Sequence, residues 1–105
     1  MRAPSLLALA ALTLIPPAAA EAQSFNCRYA RFADEAVICQ DPELAALDER
    51  LSRVFFRVRS RLDPDEVADL DREQGVWLSR RHRCGPDADC IERSYRRRIR
   101  ELRDE

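Results

Sequence analysis

The chain has 105 residues, with 18 arginines, no lysine, 19 acidic side chains, one histidine and four cysteines, for a net charge of −1. That length holds one modest hydrophobic core, which excludes a multidomain enzyme. A lone histidine excludes a zinc centre built on a histidine pair, and no group of carboxylates has the ligand count of a calcium loop.

Residues 1–22 read as a secretory signal peptide: Arg2 is a short positive region, Leu6 to Ile15 an apolar run too short to span a bilayer, and Ala18-Ala19-Ala20-Glu21-Ala22 supplies small residues at cleavage spacing. Cleavage after Ala20 and cleavage after Ala22 both fit. Ser24-Phe25-Asn26 before Cys27 is not the small-residue context of a lipoprotein site, so a soluble, exported protein, periplasmic or secreted, is expected. Residues 23–105 then form one domain. Its four cysteines, an even number in an exported chain, read as two disulfides. Three pairings exist. The simplest joins Cys27 to Cys39 and Cys84 to Cys90, each pair bracketing its own short segment.

From Ser24 to Cys39 the apolar residues Phe25, Tyr29, Phe32, Ala36, Val37 and Ile38 are spaced for one or two short helical turns. Asp41-Pro42 then opens a long amphipathic helix: Asp41 is a good N-cap, Pro42 takes the first turn, and Leu44, Leu47, Leu51, Val54, Val58 and Leu62 recur at steps of three and four. Asp63-Pro64-Asp65-Glu66 repeats the cap as a capping box and starts a second long helix to about Arg83, with Val67, Leu70, Gln74 and Trp77 inward. Gly75 inside it is a local fault that suggests the close passage of another helix. Gly85 and Pro86 end that helix, Asp87 caps the next, and Ile91, Tyr95, Ile99 and Leu102 form its apolar stripe. Of Phe55 and Phe56, one should pack and the other stay partly exposed. No strand pattern stands out. The expected fold is all-α, a small three- to four-helix antiparallel bundle stapled by two local disulfides.

Charge is divided along the chain. Residues 34–73 hold 12 acids and 6 arginines, net −6, while residues 80–103 hold 9 arginines and 4 acids, net +5. Such a split steers charged partners. Catalytic candidates are few: His82 lies between Arg81 and Arg83 without a paired nucleophile and reads as a solvent-facing structural residue, and oxidised cysteines are not nucleophiles. No enzyme activity, metal or other cofactor is expected. The arginine-rich last helix raises nucleic-acid binding, but the export signal, the disulfides and the acidic half oppose it, and no nucleic-acid partner is expected.

The pattern Phe25-x-Cys27-x-x-Ala30, then Glu35-x-x-Ile38-Cys39-x-Asp41-Pro42-x-Leu44-Ala45-x-Leu47-Asp48-x-x-Leu51, resembles the opening of the LprI-like lysozyme-inhibitor domain family. Glu73-Gln74-x-x-Trp77-Leu78, Arg80, Cys84, Cys90, Tyr95, Arg98, Ile99 and Leu102 extend that resemblance over nearly all of the mature chain. The chain departs from the family at Phe32-Ala33, where a threonine-containing turn is frequent, at Phe55-Phe56, where a tyrosine is usual, and at Gly75. The resemblance implies an exported, all-helical, disulfide-bonded domain whose protein partner is a c-type lysozyme. Such lysozymes are strongly basic around an acidic cleft, so Glu43, Asp48, Glu49, Asp65, Asp69 and Asp71 are candidate partner contacts. His82 and Arg83, at the base of the Cys84–Cys90 loop, are further ones. A second reading is a structural or assembly factor of the bacterial envelope that binds anionic polymer or lipid through the arginine-rich helix.

Overall fold

Four helices make up the described part of the computed structural model, residues 24–104: α1 (Ala33–Gln40), α2 (Pro42–Arg59), α3 (Pro64–Arg83) and α4 (Ala88–Arg103), preceded by a 3-10 turn at Cys27–Tyr29. The expected signal peptide, residues 1–22, lies outside the described residues. Among those residues there is no strand, and no helix is long and apolar enough to cross a membrane.

The helix starts are written locally. Asp41 accepts from the Glu43 and Leu44 backbone N–H groups, at 2.9 and 3.4 Å, with Pro42 in the first turn of α2. Asp63 and Glu66 form the expected capping box of α3, and Asp87 caps α4 by accepting from Cys90 N at 3.1 Å. At α1 the cap is reversed: Glu35 Oε1 accepts from the backbone N–H groups of Arg31 and Phe32. Gly85, at φ 59°, is the left-handed residue that turns the chain between α3 and α4. The disulfides are the local ones, Cys27–Cys39 with Cα atoms 5.9 Å apart and Cys84–Cys90 with Cα atoms 5.6 Å apart.

The core is built from one stripe per helix: Ile38 of α1, Leu44, Leu47, Leu51, Val54 and Phe55 of α2, Leu70 and Trp77 of α3, and Ile91, Tyr95, Ile99 and Leu102 of α4. Each fully buried aliphatic side chain contributes about 1.5–3 kcal/mol by leaving water. The most extensive helix–helix interface joins α2 and α4. Consecutive α2 and α3 share far less contact, and α3 instead reaches α4 and α1. Trp77, buried as its position on the stripe implies, is therefore not simply held between the first two long helices. Its Nε1–H donates to the Ser94 carbonyl of α4 at 3.1 Å and its ring meets Tyr95 edge-on. Phe55 packs and Phe56 is 62% exposed. Gly75 departs from expectation. A Cβ built there meets nothing within 4 Å, so no neighbouring helix requires the glycine.

Candidate functional site

Four helices meet at a buried polar chain that crosses the core. Arg81 of α3, 1% exposed, donates from Nε to Asp34 Oδ2 of α1 at 2.7 Å and from Nη1 to the Tyr95 hydroxyl of α4 at 3.1 Å. Tyr95 in turn donates to Asp48 Oδ1 of α2 at 2.8 Å. Ser24 closes the chain, its backbone N–H and hydroxyl donating to the two Asp48 oxygens at 2.6 and 2.8 Å. The guanidinium sits 5.4 to 5.9 Å from the ring centres of Phe25, Trp77 and Tyr95, so it is boxed by aromatic faces as well as bonded. Glu35 approaches its remaining nitrogen at 3.9 Å.

The electrostatics follow from this packing. Burial pushes the Asp34 carboxyl up, but hydrogen bonds from Arg81 and His82 together with their charge win and hold it below the usual carboxylate range. Burial likewise opposes the charge on Arg81, which the Tyr95 oxygen and the Asp34 carboxylate restore and strengthen. Burial first, and then the nearby Asp48, drive the Tyr95 phenol far above its ordinary value. Tyr95 is thus a fixed hydroxyl that accepts from one side and donates to the other. His82 Nδ1 lies 3.0 Å from both Asp34 oxygens, and all four cysteines are in disulfides.

Above this floor, where α2 and α3 part, a groove of about 310 Å³ opens. Leu51, Phe55 and Phe56 wall it on the α2 side, Trp77 and Leu78 on the α3 side, and Phe25 at one end, with Asp48, Gln74 and Arg81 among its polar lining. Between the groove and the α2–α3 turn, Arg59 grips Asp71 with two parallel hydrogen bonds of 2.9 and 3.0 Å and so ties the two helices together. Beside the groove, Phe32 stacks on His82 with ring centres 4.0 Å apart. His82 is therefore clamped between a carboxylate and a ring, one-quarter exposed, not solvent-facing as its arginine neighbours suggest.

The profile of the family described as "Lysozyme inhibitor LprI" matches residues 27–102, which include both disulfides and all four helices but for the last residue of α4. The chain belongs to the LprI lysozyme-inhibitor family. It is similar to proteins named "Lipoprotein LprI" from Mycobacterium tuberculosis and Mycobacterium bovis, each 29% identical over 103 residues, covering 91% of this chain and 51% of the relative. The chain thus spans about half the length of the curated relatives it matches. No solved structure matches it significantly.

Several residues of the sequence pattern that carries the resemblance build the site. Asp48 and Tyr95 are members of the polar chain, Gln74 accepts from Arg98 Nε at 2.9 Å, and Phe25, Leu51 and Trp77 wall the groove. The candidate partner contacts are not brought together. Asp48 is 1% exposed and engaged with Tyr95 and Ser24, so it has no surface to offer a partner, contrary to the sequence expectation. Glu49 pairs with Arg53, Asp69 with Arg72 and Asp71 with Arg59, while Glu43 and Asp65 are exposed without an ion pair among the described residues. Asp71 and Glu49 flank the groove side of their helices; Asp65 and Asp69, by the helical repeat, project away from it. Arg83 is exposed at the base of the Cys84–Cys90 loop, next to the clamped His82.

Proposed function

We propose that the protein is an exported, non-enzymatic inhibitor of a c-type lysozyme. The observation that carries this reading is the LprI family match over residues 27–102, most of the packed domain. The site agrees with it. A floor of hydrogen-bonded buried groups underlies an apolar groove whose lip carries Phe56, 62% exposed. Exposed aromatic side chains beside a concave apolar patch are what protein partners bury. The acidic residues that remain at the surface, Glu43, Glu49, Asp65, Asp69 and Asp71, attract a strongly basic protein from a distance, and their partial pairing with Arg53, Arg59 and Arg72 weakens that pull without abolishing it.

The test is a turbidity assay of bacterial cell-wall lysis by hen lysozyme with purified full-length or processed protein. Inhibition that saturates near stoichiometric protein is the expected result. Undiminished lysis at a large molar excess, with no complex on size-exclusion chromatography, would remove lysozyme as the partner.

A further inference from the structure

On the far side of α2 from the groove, the molecule has a second concave site that the inhibitor reading leaves unused. It is a notch of about 180 Å³ lined by Arg50 of α2 and by Arg96, Ile99, Arg100 and Arg103 of α4. Its floor is the buried Ile99, and four guanidinium-bearing side chains form the rest. Among the described residues no carboxylate lines it, and none pairs with Arg50, Arg100 or Arg103; Arg96 meets Glu92 only at 3.4 Å. With about 100° per residue, Arg50 points roughly opposite to Ser52 and Phe55, so groove and notch are open at the same time.

The notch is part of a longer band. Arg93, Arg96, Arg97, Arg100 and Arg103 fall within an arc of about 120° on α4 and extend for about 15 Å along it. Like charges three and four residues apart destabilise a helix, so this stripe does not serve the fold. The helix dipole accounts for Arg100 and Arg103 in the last turn, but not for Arg50, Arg93 or Arg96.

We infer that Arg50, Arg96, Arg100 and Arg103 form a binding site for phosphate groups carried on a linear, base-free polyanion. Arginine forks match phosphate oxygens in pairs, and a single ion in the notch leaves the rest of the band unsatisfied, whereas a chain of phosphates runs along it. No aromatic side chain lines the notch to stack a nucleobase. A membrane fits less well, because the exposed large apolar side chains, Tyr29, Phe32, Phe56 and Val76, all lie outside α4, leaving nothing on the stripe to insert beside the headgroups.

The experiment is fluorescence anisotropy with end-labelled inorganic polyphosphate and the whole chain, over a range of salt concentrations. The quadruple variant Arg50→Gln/Arg96→Gln/Arg100→Gln/Arg103→Gln should bind at least about tenfold more weakly and flatten the slope of log K against log salt by about 3. A control with the same charge change, Arg53→Gln/Arg57→Gln/Arg61→Gln/Arg72→Gln, should stay within about threefold of the parent. Far-UV circular dichroism confirms that both variants are folded. Equal weakening by the two variants would reduce the effect to net charge and overturn the site. Failure to bind polyphosphate, with notch-dependent binding to phosphatidylglycerol vesicles, would overturn it in favour of a membrane. Neither result bears on lysozyme inhibition, which is measured separately on the same variants.

Discussion

Arg81 and Asp34, 47 residues apart in sequence, are joined by a 2.7 Å hydrogen bond at a point where neither is more than 1% exposed. The pair fastens α1 to α3, and through Tyr95 and Asp48 the same guanidinium reaches α4 and α2. Removing one partner of such a pair strands a buried charge, so Arg81→Ala should cost about 3–5 kcal/mol in urea denaturation. Replacing both, as Asp34→Leu/Arg81→Met, should cost clearly less than the single change, because the Asp34 carboxylate is no longer stranded and Tyr95 keeps its bond to Asp48. A double variant as unstable as Arg81→Ala would mean that the packing of the arginine stem, not its charge, holds the helices.

Acid should weaken the domain through the same pair. Arg81 and His82 hold the folded-state pKa of Asp34 below its ordinary value, so the stabilisation is present above the unfolded value, about 4, and is lost as pH falls through the lower folded value. Stability from urea titrations should therefore be flat down to about pH 5 and decline steadily below about pH 4. In Asp34→Asn the starting stability is lower and the decline shallower. An unchanged acid limb in that variant would transfer the effect to other carboxylates.

Much of this could be read along the chain. Asp41, Asp63 and Asp87 announce helix starts because capping is local, and the two disulfides close loops of 12 and 6 residues. The buried polar chain is not legible locally, because its partners are 47 residues apart and no local rule pairs them. Its members nevertheless sit on the apolar stripes. Arg81 follows Leu70, Gln74 and Trp77 at helical steps, Asp48 lies between Leu44 and Leu51, and Asp34 is four before Ile38. A charge on the inner face of a helix is a buried charge in search of a partner. The same rule sets Asp48 apart from the exposed acids as a buried one. The α2–α3 groove depends on how far two helices diverge, which the short turn between them does not encode.

Gly75 should be replaceable with profit. Its backbone is not in the left-handed region, and a methyl group there meets nothing within 4 Å. Gly75→Ala removes freedom from the unfolded chain and raises helix propensity, so it should stabilise the domain by about 0.5–1 kcal/mol in denaturant titration. A loss of stability would show that α3 needs the bare backbone beside the Ser79 hydroxyl, which donates to the Gly75 carbonyl at 3.2 Å.

Phe56 separates folding from binding. Its ring is 62% exposed and touches Phe55 edge-on at 5.2 Å, so Phe56→Ala should lose only the edge contact, about 0.5–1.5 kcal/mol of stability. If the groove receives lysozyme, the same change removes an exposed aromatic anchor at its lip and should raise the inhibition constant by about tenfold or more, mostly through faster dissociation. Neutralising the unpaired surface acids, as Glu43→Gln/Asp65→Asn, should act on the other rate. Association should slow, and the difference from the parent should vanish as added salt shortens the Debye length from about 10 Å at 0.1 M to about 3 Å at 1 M. Surface plasmon resonance on immobilised lysozyme reads both rates. Phe56→Ala with unaltered dissociation would take the groove out of the interface. An undisturbed on-rate in the acid variant would leave steering to Glu49, Asp69 and Asp71, whose charges are already met by arginines of this same chain.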